Sequence, residues 1–123
     1  MATVTLLLAL AAGPGFPEGS PEHRYEVALA LDATGRPDAA AWLTDPEPWP
    51  ARRLEPGRAP LSGDVQHDPD HGWSVRLFGA ASDGPDAPEI GLDFGADPVR
   101  PGGHVTVTEP DGTASSYRVV GIA

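Results

Sequence analysis

The chain has 123 residues, eight basic and eighteen acidic, for a formal charge of −10 at pH 7. That length suits one domain with a core of its own, and the charge excludes a basic footprint for nucleic acid or anionic lipid, because the mean field repels both. With no cysteine, disulfides, thiolate catalysis, zinc–thiolate sites and iron–sulfur clusters are excluded; with every basic residue an arginine, so is lysine Schiff-base chemistry.

The chain opens on an apolar run, Val4 to Ala12. It has no Lys or Arg before it and runs straight into Gly13-Pro14-Gly15, so it reads as a first strand rather than a signal peptide. It is also far short of the roughly 20 residues a membrane span needs. A cytoplasmic location, with no membrane contact, is the expectation, and a secreted or periplasmic one the alternative. Val4, Leu6, Leu8 and Leu10 fall on one side and Leu7 and Ala9 on the other, so both faces of this strand are expected to be buried. The loop Gly13 to His23 misses the dinucleotide-binding glycine spacing, and Pro14 and Pro17 remove amide donors that a phosphate would use. It reads as a connection, or as a binding loop presenting Phe16. Ser20 lacks the Gly-x-Ser-x-Gly elbow of an activated serine, and His23 alone does not supply one.

From Arg24 to Asp32, Tyr25, Val27, Leu29 and Leu31 alternate with Arg24, Glu26, Ala28 and Ala30, the period of a half-buried strand. Thr34-Gly35 turns the chain. Arg36 to Leu43 is open between strand and short helix: Ala39-Ala40-Ala41 favours helix and Asp38 can cap it, but little room remains before Pro46. From Thr44 to Pro60, prolines at 46, 48, 50, 56 and 60 predict an extended surface connection with neither helix nor central strand. Trp49 within it can either plug an open end of the fold or anchor a partner. Phe16, Trp42 and Trp49 together form the expected partner-binding set, since large aromatic groups on loops are the usual anchors of protein interfaces.

Leu61 to Gln66 and Trp73 to Phe78 alternate as a hairpin around Asp68-Pro69-Asp70-His71-Gly72. His67, Asp68, Asp70 and His71 are the densest group of metal-capable side chains, but Pro69 rules out the helix on which the histidines would share a face, and both aspartates are ordinary turn formers. A divalent-metal or small-molecule site on His67, Asp70 and His71, with Arg76 for an anionic group, is therefore the alternative expectation. An EF-hand is excluded because Gly79 stands where the bidentate glutamate belongs. Ala80 to Pro88 reads as an acidic loop, whose Asp83 and Asp86 with Glu89 are read as solvated charge. Ile90, Leu92 and Phe94 mark another strand.

The last twenty residues are the most sharply written. Val105 and Val107 alternate with polar residues, as do Tyr117 and Val119, and between them Pro110, Asp111 and Gly112 suit a three-residue turn with glycine in the left-handed position. This register pairs Glu109 with Thr113, Val107 with Ser115, Val105 with Tyr117, and His104 with Arg118. Val120 and Ile122 then fall together on the opposite face. The hairpin resembles those of SH3-like barrels and sortases in Pro101-Gly102, Asp111-Gly112 and Tyr117-x-Val119; a sortase also needs a cysteine nucleophile, and the chain is assigned to no family.

The sum is one all-β domain, residues 1–123: an antiparallel β-barrel or β-sandwich of six to eight strands, with little helix and long Pro/Gly-rich loops. No catalytic set and no cofactor site is written into it. The functional expectation is an accessory, structural or adaptor domain acting through contact with another protein or with itself.

Overall fold

The computed structural model describes residues 3–13, 15–77 and 89–123. The acidic loop expected over Ala80 to Pro88, with Phe78 and Gly79 before it, lies outside these residues. Eight strands and one short helix follow in the order β1 (Val4–Leu10), β2 (Ser20–Leu29), α1 (Ala39–Thr44), β3 (Pro50–Leu54), β4 (Leu61–Asp68), β5 (Gly72–Leu77), β6 (Glu89–Asp93), β7 (His104–Thr108) and β8 (Ala114–Ile122). Each strand pairs antiparallel with the next, and β1 pairs with β8, closing an up-and-down barrel. The choice between barrel and sandwich is thereby decided, and closure leaves no unpaired sheet edge.

The alternation read from the sequence fills the barrel. Leu6 and Leu8, Tyr25, Val27 and Leu29, Val65 and Val75, Ile90 and Leu92, Val105 and Val107, and Tyr117 and Val119 are all buried. Eight strands enclose a space just wide enough for side chains to fill. The outward positions carry charge, including the Glu26–Arg52 pair at 3.2 Å and the Arg76–Glu89 pair at 2.9 Å, whereas a lipid-facing barrel surface is apolar. Among the described residues no helix is long and apolar enough to cross a membrane.

The C-terminal hairpin has the expected register: His104 opposes Arg118, Val105 opposes Tyr117, and Val107 opposes Ser115. The Glu109 amide donates to the Thr113 carbonyl at 2.8 Å, and Gly112 takes φ 91°. The β4–β5 hairpin repeats the device, with Asp68 opposite Gly72 and the Asp68 carboxylate accepting from the Asp70 and His71 amides at 2.7 and 3.2 Å. Those two amides hold the Asp68 carboxyl below its usual range.

Two expectations are corrected and one open choice is settled. The stretch from Thr44 to Pro60 is not all connection: Pro50–Leu54 is a strand paired on both sides, with β2 and β4. Pro50 opens that strand, the position at which a missing amide is tolerated, and the four residues after it carry no proline. Second, the strand-or-helix question over Arg36 to Leu43 resolves as α1, capped by the Asp38 carboxylate accepting from the Ala41 amide at 3.1 Å. Third, Val120 and Ile122 do not share a face. A register shift pairs Leu7 with Gly121 and Leu8 with Val119, so Val120 stays outward, 46% exposed, while Ile122 returns to pack against the core. The outer face of β1 is correspondingly less covered than expected, and Leu7 is only half-buried.

Gly63 is where two strands come too close for a side chain. A Cβ added there would lie 2.3 Å from the Arg76 carbonyl oxygen and 3.1 Å from the Leu77 Cα, all backbone that cannot swing aside. Gly63→Ala is expected to cost about 1–3 kcal/mol by forcing β4 and β5 apart. Gly91→Ala, whose Cβ would meet only Thr108 at an ordinary 3.6 Å, is expected to be neutral. Thermal unfolding of the two variants checks the contrast; equal melting temperatures would contradict it.

Candidate functional site

The antiparallel order gives the barrel two distinct ends. At one lie the connection from β2 to β3 with α1, the β4–β5 turn and the segment between β6 and β7. Aromatic groups close it. Trp49 is 2% exposed, stacks on Trp73 with centroids 6.0 Å apart and planes 11° apart, and donates its indole N–H to Asp45 at 2.9 Å. That bond holds the Asp45 carboxyl below its usual range. His67 packs against Trp73 at 4.6 Å and against Trp42 at 6.1 Å.

Of the expected partner-binding residues, Trp49 is therefore corrected to a core residue: the pairing of Pro50 with Asp64 and the bond from the Val65 amide to the Trp49 carbonyl turn its ring into the barrel end. Trp42 is partly buried on α1 and anchored, its indole N–H donating to the Val65 carbonyl at 2.9 Å. Phe16 remains at the surface, 38% exposed, edge-on to the His23 ring at 4.9 Å. The expected metal set does not converge. His67 belongs to the aromatic cluster and the His71 side chain is 84% exposed beside Asp68 in the turn. Among the described residues no group of three or more His, Asp or Glu side chains could hold a metal ion.

The opposite end holds a polar network that the sequence reading missed. Arg53 on β3 lies opposite Tyr25. Its guanidinium contacts Glu55 at 2.9 Å and Glu109 at 3.3 Å, and the Tyr25 hydroxyl donates to Glu109 at 3.3 Å. Tyr25 and Tyr117 meet edge to face at 5.2 Å. Burial first, and then the Glu109 charge, raise the pKa of both phenols, that of Tyr117 to about 12. Each member satisfies another, so the network seals the end rather than offering a free group. Finding it required β3 to be a strand; with residues 50–54 read as loop, Arg53 had no inward direction.

Two further features lie on the outer surface. Three extra residues between Ser20 and Arg24, which pair with the adjacent Leu10 and Ala9, form a bulge that brings Ser20 Oγ to 2.8 Å from His23 Nδ1. On α1, Leu43 is 76% exposed, the most exposed large apolar residue among those described. It borders a cleft that also involves Trp42, Asp45, Pro46, Glu47 and Pro48. Leu43 was passed over because a residue's face on a helix is unreadable until the helix itself is placed. Comparison with protein-family models, curated proteins and solved structures finds no match to this chain.

Proposed function

We propose that this domain acts by contact with another protein, as an accessory or adaptor, and that α1 carries the contact. The observation behind the reading is Leu43, 76% exposed on a helix whose other large apolar group, Trp42, is anchored. Its neighbour Trp42 is pinned to β4, Asp38 caps the helix start, and the Asp45 carboxylate binds Trp49 just past its end. A patch held this rigidly loses little freedom on binding, which is the condition for a small surface to give useful affinity.

Asp45, Glu47 and the exposed Pro46 and Pro48 rim the patch, so the partner surface that fits is an apolar recess bordered by basic groups. The overall charge of −10 favours the same partner through steering at low salt. A closed barrel offers no strand edge for pairing, which leaves side-chain contact as the mode.

Leu43→Asp is expected to abolish capture of the partner while leaving the melting temperature within about 2 °C, since exposed substitutions stay within roughly 0.5 kcal/mol. Capture with the wild type, Leu43→Asp and a Phe16→Asp control tests this. Loss with Phe16→Asp and retention with Leu43→Asp would move the contact to the Gly13 to His23 loop; retention by both would overturn the reading.

A further inference from the structure

The outer face of β7, β8 and β1 carries a feature that the contact surface on α1 does not use. His104 stands directly opposite Arg118, and Arg118 pairs with Ala9 on the next strand. Groups directly opposite across an antiparallel pair have Cβ atoms about 5 Å apart, and two that carry like charge oppose each other there. The chain supplies eighteen acidic residues, and Arg52, Arg53 and Arg76 each have a carboxylate partner. Among the described residues Arg118 and His104 have none, nor do Arg24, Arg36, Arg58 and Arg100; Arg118 and His104 differ from those four in facing each other across one strand pair.

Beside this pair lies a cleft of about 500 Å3. In strand order, Arg118, His104 and Val120 form its β7–β8 wall, Ala9, Leu10, Ala11 and Ala12 form its floor, and Glu18 and Ser20 stand on the β1–β2 side. Val120 faces outward beside it, alternating with the buried Val119. The cleft thus joins an unpaired guanidinium, suited to gripping a carboxylate through two parallel hydrogen bonds, to an apolar floor long enough for a short hydrocarbon.

The geometry points to a binding site for a small organic monocarboxylate, with Arg118 and His104 on the carboxylate and Ala9 to Ala12 and Val120 along its apolar body. Glu18 on the opposite wall disfavours a second negative charge, which selects the monocarboxylate over a phosphate monoester. The site is separate from α1, so it stands or falls independently of the contact reading.

The test is a titration of the full chain with hexanoate, acetate and hexyl phosphate, followed by NMR at the Arg118 and His104 side chains. Hexanoate is expected to shift both saturably, with acetate and hexyl phosphate each weaker by about tenfold or more, a difference of about 1.4 kcal/mol. Arg118→Gln is expected to weaken hexanoate by at least about tenfold, and Ala12→Trp, which fills the cleft from an exposed position, to do the same with Arg118 intact. Absence of a saturable shift up to on the order of 10 mM, or unchanged binding in either variant, would overturn the proposal. So would acetate or hexyl phosphate binding as tightly as hexanoate.

Discussion

Trp49→Ala is expected to cost about 3–5 kcal/mol and lower the melting temperature by roughly 10–20 °C. The indole is 2% exposed and stacked on Trp73, so truncation leaves a void at a barrel end that no neighbouring strand can collapse into without breaking ladder pairing. It also frees the Asp45 carboxylate, which helps to fix the end of α1. The same substitution separates the two roles the sequence allowed for Trp49. A core residue lowers stability, whereas a partner anchor lowers capture at unchanged stability. Thermal unfolding followed by circular dichroism decides, and a drop of less than about 3 °C, under roughly 1 kcal/mol for a chain of this size, would return Trp49 to the surface.

The second large effect is alkaline. The protein has two tyrosines, and both lie in the barrel, with Tyr117 pushed up to about 12 and Tyr25 raised as well. In the unfolded chain a tyrosine ionises near pH 10. Above that pH the folded state holds more protons than the unfolded one, so stability is fully present below pH 10 and falls as pH rises toward 12. The slope is about 1.4 kcal/mol per pH unit for each tyrosine. With both tyrosines contributing, a domain of ordinary stability, about 5–15 kcal/mol, is carried much of the way to unfolding. Phenolate absorbance at 295 nm is therefore expected to stay flat through pH 10 and then rise together with loss of the circular dichroism signal. A reversible tyrosine titration near pH 10 with the barrel intact would show that Glu109 and burial do not hold these phenols protonated. Glu109→Gln removes the charge that raises both groups, so phenolate is expected to form at lower pH within the intact barrel, and the linked loss of stability above pH 10 is expected to be smaller.

What could be read in advance follows the range of the contacts involved. The β7–β8 register was legible because Pro110, Asp111 and Gly112 fix the turn and a one-residue slip would expose Tyr117 and Val119. The β4–β5 hairpin was legible for the same reason. Strand β3 was not, because five prolines between residues 46 and 60 outweighed the short run from Ala51 to Leu54, and only pairing with β2 and β4 on either side makes that run a strand. The cost of that miss was the whole Arg53 network.

The sequence by itself determined the class of fold, the core alternation of β1, β2 and β4 to β8, the register of the last hairpin, the place of a second one, and the absence of thiol and lysine chemistry. Each of these is carried by residue types, or by neighbours within one turn. Tertiary structure alone decided that the sheet closes, with Leu8 against Val119 across more than a hundred residues of chain, and that a bulge there turns Ile122 in while Val120 stays out. It also decided which groups meet: Tyr25 with Glu109, Trp49 with Trp73, and Ala9 to Ala12 with the Arg118–His104 pair that the hairpin register places. Local periodicity tells a strand's inward face from its outward one, but what stands beside each face is set by the closure of the barrel.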